Sequence, residues 1–206
     1  MKITLDNISR RFGNNIIFDN ISAVLIPSAG YYVKGPNGSG KSTLLKTISG
    51  FLSLSSGKIY FENDSGIIPA SEWYKYVAVA APYSEIIEEF SVKEMLDFHF
   101  SLKPLCQGYS KEDVLRESFL KMYLDTRISD CSSGTKQRLR LALAIYSACP
   151  VLLLDEPLTN LDDAGFQWYG KEMAKAVSNR IVIVCSNNND EEYSFCKESL
   201  VDFSLI

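Results

Sequence analysis

Between Gly35 and Thr43 the chain reads Gly-Pro-Asn-Gly-Ser-Gly-Lys-Ser-Thr. Glycines, a lysine and paired hydroxyls in this spacing make a cradle for a polyphosphate. A phosphate chain needs many N–H donors at short range, and glycine lets the backbone curl and approach where a Cβ would intrude. A helix opening after such a loop adds its free N–H groups and positive dipole end. Asn37, Gly38, Ser39 and Gly40 then form the cradle, and Lys41 places a point charge at the outer phosphates. The Ser42 hydroxyl is a hard oxygen suited to Mg²⁺, and Thr43 reaches an inner phosphate. The plainer reading, a glycine turn beside a solvated lysine, leaves this order of residues unexplained.

A second constellation lies far along the chain. Val151-Leu152-Leu153-Leu154-Asp155-Glu156-Pro157 is an apolar run ending in two carboxylates. Consecutive apolar residues suit a parallel strand buried on both faces, and open α/β sheets bind ligands at the carboxyl ends of their strands. Asp155 there joins Ser42 in holding Mg²⁺. Glu156, on the other side of the pleat, is placed to polarise an attacking water. The two motifs together predict a nucleoside triphosphate site with hydrolytic chemistry.

The elements that must position these residues follow from pattern. Residues 2–8 and 21–26 are β-prone, as are Gly30–Val33, Lys58–Glu62 and Tyr76–Ala81. Ser42–Ser49 reads as a helix with Leu44, Leu45 and Ile48 on one face and Gly50 as its stop. Helical periodicity covers Val92–Leu102, Lys111–Tyr123 and Ser132–Cys149, and strands return at Val151–Leu154 and Ile181–Cys185. This alternation predicts an α/β fold: a mainly parallel sheet core with a small antiparallel β subdomain and an inserted helical lobe. The expected organisation is one domain over 1–206, with the core in 1–83 and 148–206 and the helical lobe in 84–147.

Bulk properties narrow the field. The 206 residues are 46% hydrophobic and 22% charged, enough for one sizeable core, and the net charge of −4 gives no global attraction to nucleic acid. No apolar run reaches the length of a bilayer span, and the N-terminus lacks the apolar core of a signal peptide. Five cysteines at unrelated spacings fit reduced thiols in a cytoplasmic protein.

Two further motifs give the chain a family resemblance. Cys131-Ser132-Ser133-Gly134-Thr135-Lys136-Gln137-Arg138 opens a helix before the acidic strand, and Leu158-Thr159-Asn160-Leu161-Asp162 follows it. With the phosphate loop, this order resembles the nucleotide-binding domain of ABC transporters over residues 2–205. The resemblance implies the fold of the P-loop NTPases, ATP and Mg²⁺ as ligands, and ATPase activity. It implies a second ABC domain, the same or different, and a transmembrane permease subunit as partners, so the chain would lie peripherally on the cytoplasmic face of the membrane.

Residue by residue, it implies that Phe12 stacks on adenine, where the local sequence alone fits a packed hairpin aromatic equally well. Ser132, Ser133 and Gly134 match the signature that contacts the partner's ATP, and Asp162 the aspartate coupling the two sites of the dimer. As a bare pattern, Ser-Ser-Gly is more often a helix cap. The tail after Cys185 is short beside that of many importers in the family, which tilts the expectation toward export.

Three positions depart from the family pattern. Cys131, Ser133 and Thr135 replace leucine, glycine and glutamine of the signature. Tyr83 stands where a glutamine follows the strand ending at Pro82. Asn187 stands where the family has its switch histidine; the only histidine, His99, lies in the helical block. An amide donates a hydrogen bond but carries no charge, so hydrolysis is expected to be slow or partner-dependent. Two alternatives stay open: a degenerate subunit that holds ATP beside an active partner, and a soluble ATPase of this type outside transport.

Overall fold

The structure is a computed structural model describing residues 1–187 and 189–204. Lys2–Phe12 (β1) and Asn15–Leu25 (β2) form one long antiparallel hairpin turning at Gly13 and Asn14. The two separate extended runs expected from sequence are therefore parts of longer strands. Ile3, Leu5 and Ile8 of β1 are buried, and the shift in their alternation falls at Asn7, a left-handed residue (φ 47°) at a register irregularity. Ser56–Asn63 (β4) and Gly66–Ile68 (β5) complete a four-stranded antiparallel sheet in the order β2-β1-β4-β5.

The second sheet has five parallel strands in the order β6-β7-β8-β3-β9: Tyr31–Lys34 (β3), Val77–Ala80 (β6), Val151–Asp155 (β7), Ile181–Ser186 (β8) and Glu198–Asp202 (β9). Every residue of β7 and β8 is buried, as their unbroken apolar runs require. Alternate residues serve two cores. Val151, Leu153, Ile181, Ile183 and Cys185 pack with helix Lys41–Ile48 (α1) and the antiparallel sheet. Leu152, Leu154, Val182 and Val184 pack with helices Ser133–Ile145 (α4) and Asp163–Ala176 (α5). Helices Val92–Leu102 (α2) and Lys111–Glu117 (α3) share this second core, so the helical block has no apolar core separate from the sheet.

Two predicted helices end early, each for a visible reason. Left-handed Phe119 (φ 57°) breaks the run expected to reach Tyr123, leaving a 3₁₀ turn at Lys121–Tyr123. The run expected to reach Cys149 stops at Ile145, where Arg180 donates to the carbonyls of Ile145 and Ser147. Helix α5 and strands β5 and β9 were not anticipated. β9 lies beyond Ile181–Cys185, the final strand that the sequence pattern predicts, and pairs with β3 at the sheet edge.

Candidate functional site

The loop between β3 and α1 has the form its glycines predict. Gly38 is left-handed (φ 81°) with open space above its Cα, and Gly40 (φ 110°) packs so closely on β2 that a Cβ would lie 2.6 Å from Ile17 Cγ2. No side chain caps α1 and no acid sits in its first turn, so the helix presents uncompensated N–H groups and dipole to the loop. Lys41 is 4% exposed, and its ammonium donates to the carbonyls of Gly35 (2.7 Å) and Pro36 (3.0 Å). The buried Ser39 hydroxyl has no partner among the described residues. Asn37 is exposed at the loop tip, and Thr43 is half-buried in the first turn.

The acidic strand end meets this loop directly. Ser42 donates to Asp155 Oδ2 at 2.5 Å, across 113 residues of sequence. Asp155 is 3% exposed, and burial raises its carboxyl pKa, reinforced by Glu156 and opposed by the Ser42 hydrogen bond and Lys41. A buried carboxylate and the hydroxyl that donates to it, both hard oxygen donors, fit Mg²⁺.

Tyr83 stands at the rim. Lys46 of α1 lies 3.8 Å above its ring, and burial with Asp155 nearby pushes the phenol pKa up. The phenol is therefore a neutral group whose ring engages a cation of the phosphate-loop helix.

Glu156 turns away from Asp155 through a left-handed backbone (φ 45°), fixed by its N–H donating to Cys185 O at 2.9 Å. It lines a cavity of about 240 Å³ with Leu158, Thr159, Asn187, Asn189 and Glu192. The structure thus brings Glu156 and exposed Asn187 to one cavity.

Ser132 caps α4, accepting from Thr135 N at 3.2 Å, and its Oγ lies 3.0 Å from Thr135 Oγ1. Thr135 is buried and completes this cap, while Ser132 and Ser133 are exposed. Gly134 lies against the loop after β7: a Cβ there would be 2.7 Å from the carbonyl oxygen of Asn160. Backbone cannot yield as a side-chain tip does. Gly134→Ala is therefore expected to lower stability by about 1–3 kcal/mol, read as a drop in thermal midpoint. An unchanged midpoint would show that the two segments separate easily.

Asp162 caps α5 through Gly165 N (2.9 Å) and pairs with Arg138 of α4; these bonds, the cap first, lower its carboxyl pKa. Among the described residues no hydrogen bond joins Ser132, Ser133 or Gly134 to Lys41, Ser42 or Asp155.

Phe12 is 49% exposed at the hairpin end, two residues from Arg10, whose guanidinium covers its ring at 4.5 Å. Phe12 pairs with Asn15, in the same strand as the Ile17 that buttresses Gly40. His99 is half-buried, accepting or donating at Ser147 Oγ (2.8 Å); burial, with Lys103 nearby, lowers its pKa to about 4, a neutral structural pin.

A family model described as ABC transporter matches residues 18–159, spanning the phosphate loop, the signature helix and the acidic strand end. The chain belongs to the ABC transporter family. It is 31% identical over 167 residues to the Fe(3+) ions import ATP-binding protein FbpC of Fusobacterium nucleatum, covering 79% of this chain and 44% of that one. It is 29% identical over 163 residues to the Nod factor export ATP-binding protein I of Burkholderia lata, covering 78% and 54%. The chain thus spans about half the length of these curated relatives.

A putative ABC transporter ATP-binding protein from Pyrococcus furiosus superposes with a TM-score of 0.80 at 22% identity, covering 98% of this chain and 97% of that one. A dimeric ATP-binding cassette bound to ADP and Pi superposes at 0.77 with 19% identity, covering 95% of each. The fold is that of an ABC ATP-binding domain.

Within this ABC domain the sequence reading missed three polar residues. Gln137 is buried and donates to Pro157 O at 3.0 Å, tying α4 to the loop after the acidic strand end. Arg138 makes the companion tie to Asp162. Glu192 is buried beneath the Glu156 cavity. A polar side chain inside the apolar stripe of α4 was the available signal for Gln137; Glu192, in the run Asp190-Glu191-Glu192, looks like an ordinary solvated acid.

Proposed function

We propose that this ABC domain binds Mg-ATP and hydrolyses it in a dimer, driving transport through a separate membrane subunit. The observation that carries the reading is the Ser42–Asp155 contact beside buried Lys41 and the uncapped end of α1. Lys41 releases its two loop carbonyls for the outer phosphates, and the N–H groups of the loop and of α1 hold the rest. Ser42 and Asp155 would hold magnesium, which when bound supplies positive charge beside the phosphates. Glu156 takes a proton from a water in its cavity, and the resulting hydroxide attacks the terminal phosphoryl group with ADP leaving. Asn187 at the cavity rim offers a neutral donor to the transferring group. Phe12 offers its ring face to adenine.

The exposed serines at the start of α4 complete a partner's site, since among the described residues no hydrogen bond joins them to Lys41, Ser42 or Asp155. A head-to-tail pair with two-fold symmetry satisfies both sites at once, and Asp162 couples them through Arg138 and α4. The helical lobe passes the motion to the membrane subunit, which places the domain on the cytoplasmic face. Among the described residues no helix is long and apolar enough to cross a membrane itself.

Tyr83 over Lys46 and uncharged Asn187 favour a second reading, a subunit that holds ATP and supports an active partner. Calorimetry with ATP and magnesium, followed by steady-state turnover alone and with the co-purified membrane partner, tests both. Saturable binding with turnover supports the first reading, and binding without turnover in either setting supports the second. No binding sinks both.

A further inference from the structure

Helix α1 carries Lys41 and Ser42 in its first turn, so whatever fixes this helix against the parallel sheet also fixes the groups proposed to hold phosphate. Its apolar residues Leu44, Leu45 and Ile48 are buried in the core shared with the antiparallel sheet. Apolar packing of this kind is non-directional. The contacts that aim the helix at the ligand edge of the sheet lie on its polar face.

Ser42 and Lys46 stand one turn apart on the same face of α1. Each reaches the end of a different strand. Ser42 donates to Asp155, the last residue of β7. The Lys46 ammonium lies 3.8 Å from the centroid of the Tyr83 ring, in the segment that follows β6. β6 and β7 are neighbours in the sheet, paired in parallel with Ala80 beside Leu154. One face of α1 is thus pinned at two adjacent strand ends.

The Tyr83 contact is made by the ring face. At 3.8 Å it is the shortest cation-to-ring contact among the described residues, where the others run from 4.5 to 5.9 Å. A lysine ammonium over a tyrosine face is attracted by the ring quadrupole, more strongly where water is partly excluded. Lys46 is half-buried, and among the described residues no ion pair competes for it. The segment that carries the ring is itself held. Ser84 N donates to Ala81 O at 2.8 Å, Arg140 of α4 donates from Nε to Ser84 O at 3.1 Å, and Ile86 is buried in the core with α2 and α4. The ring is therefore an anchored platform for the lysine of the helix.

We propose that Lys46 and Tyr83 are a positioning pair of the ATP site: the Tyr83 ring face holds α1 where Ser42 meets Asp155 and where Lys41 and the loop amides face the phosphates. The ring carries the role, and the hydroxyl is dispensable. A glutamine at this position could not replace it, because an amide has no π face. The pair acts before any chemistry. A helix free to shift must be frozen when ATP binds, and that cost is subtracted from affinity. The inference rests on the ATP-binding reading above, which both accounts of the domain share, and it requires no hydrolysis.

Calorimetry on the full chain with magnesium tests it. Tyr83→Phe keeps the π face and is expected to bind ATP within about twofold of wild type. Tyr83→Leu keeps apolar bulk without a π face, and Lys46→Met keeps the stem without the charge. Each is expected to weaken ATP binding about three- to tenfold, the range a partly desolvated cation–π contact supplies. The double variant is expected to be no weaker than the weaker single one, because both changes break one contact. Tyr83→Gln is expected to behave as Tyr83→Leu. Inorganic tripolyphosphate should lose affinity by the same factor as ATP, since the pair acts on the phosphate loop and not on the base.

Additive losses in the double variant overturn the proposal, because Lys46 and Tyr83 then act separately. A loss in Tyr83→Phe as large as in Tyr83→Leu also overturns it and moves the role to the hydroxyl. So does wild-type affinity in Tyr83→Leu or Tyr83→Gln, whatever the thermal midpoint, since the contact then only holds the fold. A wild type that binds no ATP fails at an earlier point: it removes the ATP-binding reading, and the positioning role with it.

Discussion

Lys41→Ala is expected to weaken ATP binding roughly 100-fold. The ammonium is buried between two carbonyls of its own loop, so the loop already encloses the point where a polyphosphate charge must sit. Exchanging two neutral acceptors for charged phosphate oxygens gains more per bond, because hydrogen bonds to ionised groups are worth about 1.5–3 kcal/mol against about 1 for neutral ones. Losing about 3 kcal/mol corresponds to roughly two decades of affinity.

The substitution also removes the positive charge that opposes the raised pKa of Asp155, so its effect reaches the acidic strand end. Calorimetry with magnesium reads it directly. Affinity within about threefold of wild type would show that loop amides and the α1 dipole hold the phosphates alone. Lys41→Arg is expected to fail as well, since a planar guanidinium does not fit between Gly35 O and Pro36 O as a point charge does.

What the sequence disclosed, and what it hid, divides by the range of the interaction. The phosphate loop was legible because its demands are local: Gly38 and Gly40 adopt left-handed backbone that side chains resist, and the lysine and hydroxyls follow within a few residues. β7 and β8 were legible because burial on both faces leaves no polar position to interrupt the run. Helix α5 was missed because it carries its apolar residues on one stripe among charges and glycines, Trp168, Tyr169 and Met173 facing the core. β9 was missed because an edge strand needs little apolar character: only Val201 of Glu198–Asp202 is buried.

The site shows the same division. Ser42 and Asp155 could be assigned to one centre from the order of motifs. That α4 meets the loop after β7 at three points, Gly134 at Asn160, Gln137 at Pro157 and Arg138 at Asp162, could not, because each joins residues 20 or more apart and uses an ordinary residue type. Those ties give the altered signature a physical meaning. Thr135, in place of a longer glutamine, turns inward to complete the Ser132 cap. Any force on the exposed end of α4 therefore passes to the loop that carries Glu156.

Glu156→Gln is expected to cut turnover by about 100- to 10,000-fold while leaving ATP affinity close to wild type. The separation of the two effects follows from how the residue is held. Its backbone N–H is committed to Cys185 O, and its left-handed conformation belongs to the turn after β7, so the amide variant keeps the strand end intact. Its side chain lines the cavity with Asn187 and Glu192, and neither Ser42 nor Asp155 is among the described residues lining that cavity. The variant thus loses a proton acceptor for water and no phosphate contact.

If the proposed pair forms on ATP and parts on hydrolysis, it should then accumulate, visible as an ATP-dependent shift to twice the mass in size-exclusion chromatography with light scattering. Turnover persisting at the wild-type rate would remove Glu156 from the role of base and leave Asp155 as the only acid at the strand end able to take it. Loss of turnover without any dimer would instead mean that the exposed serines of α4 do not meet a partner's phosphates, and that the second half of the site comes from a different chain.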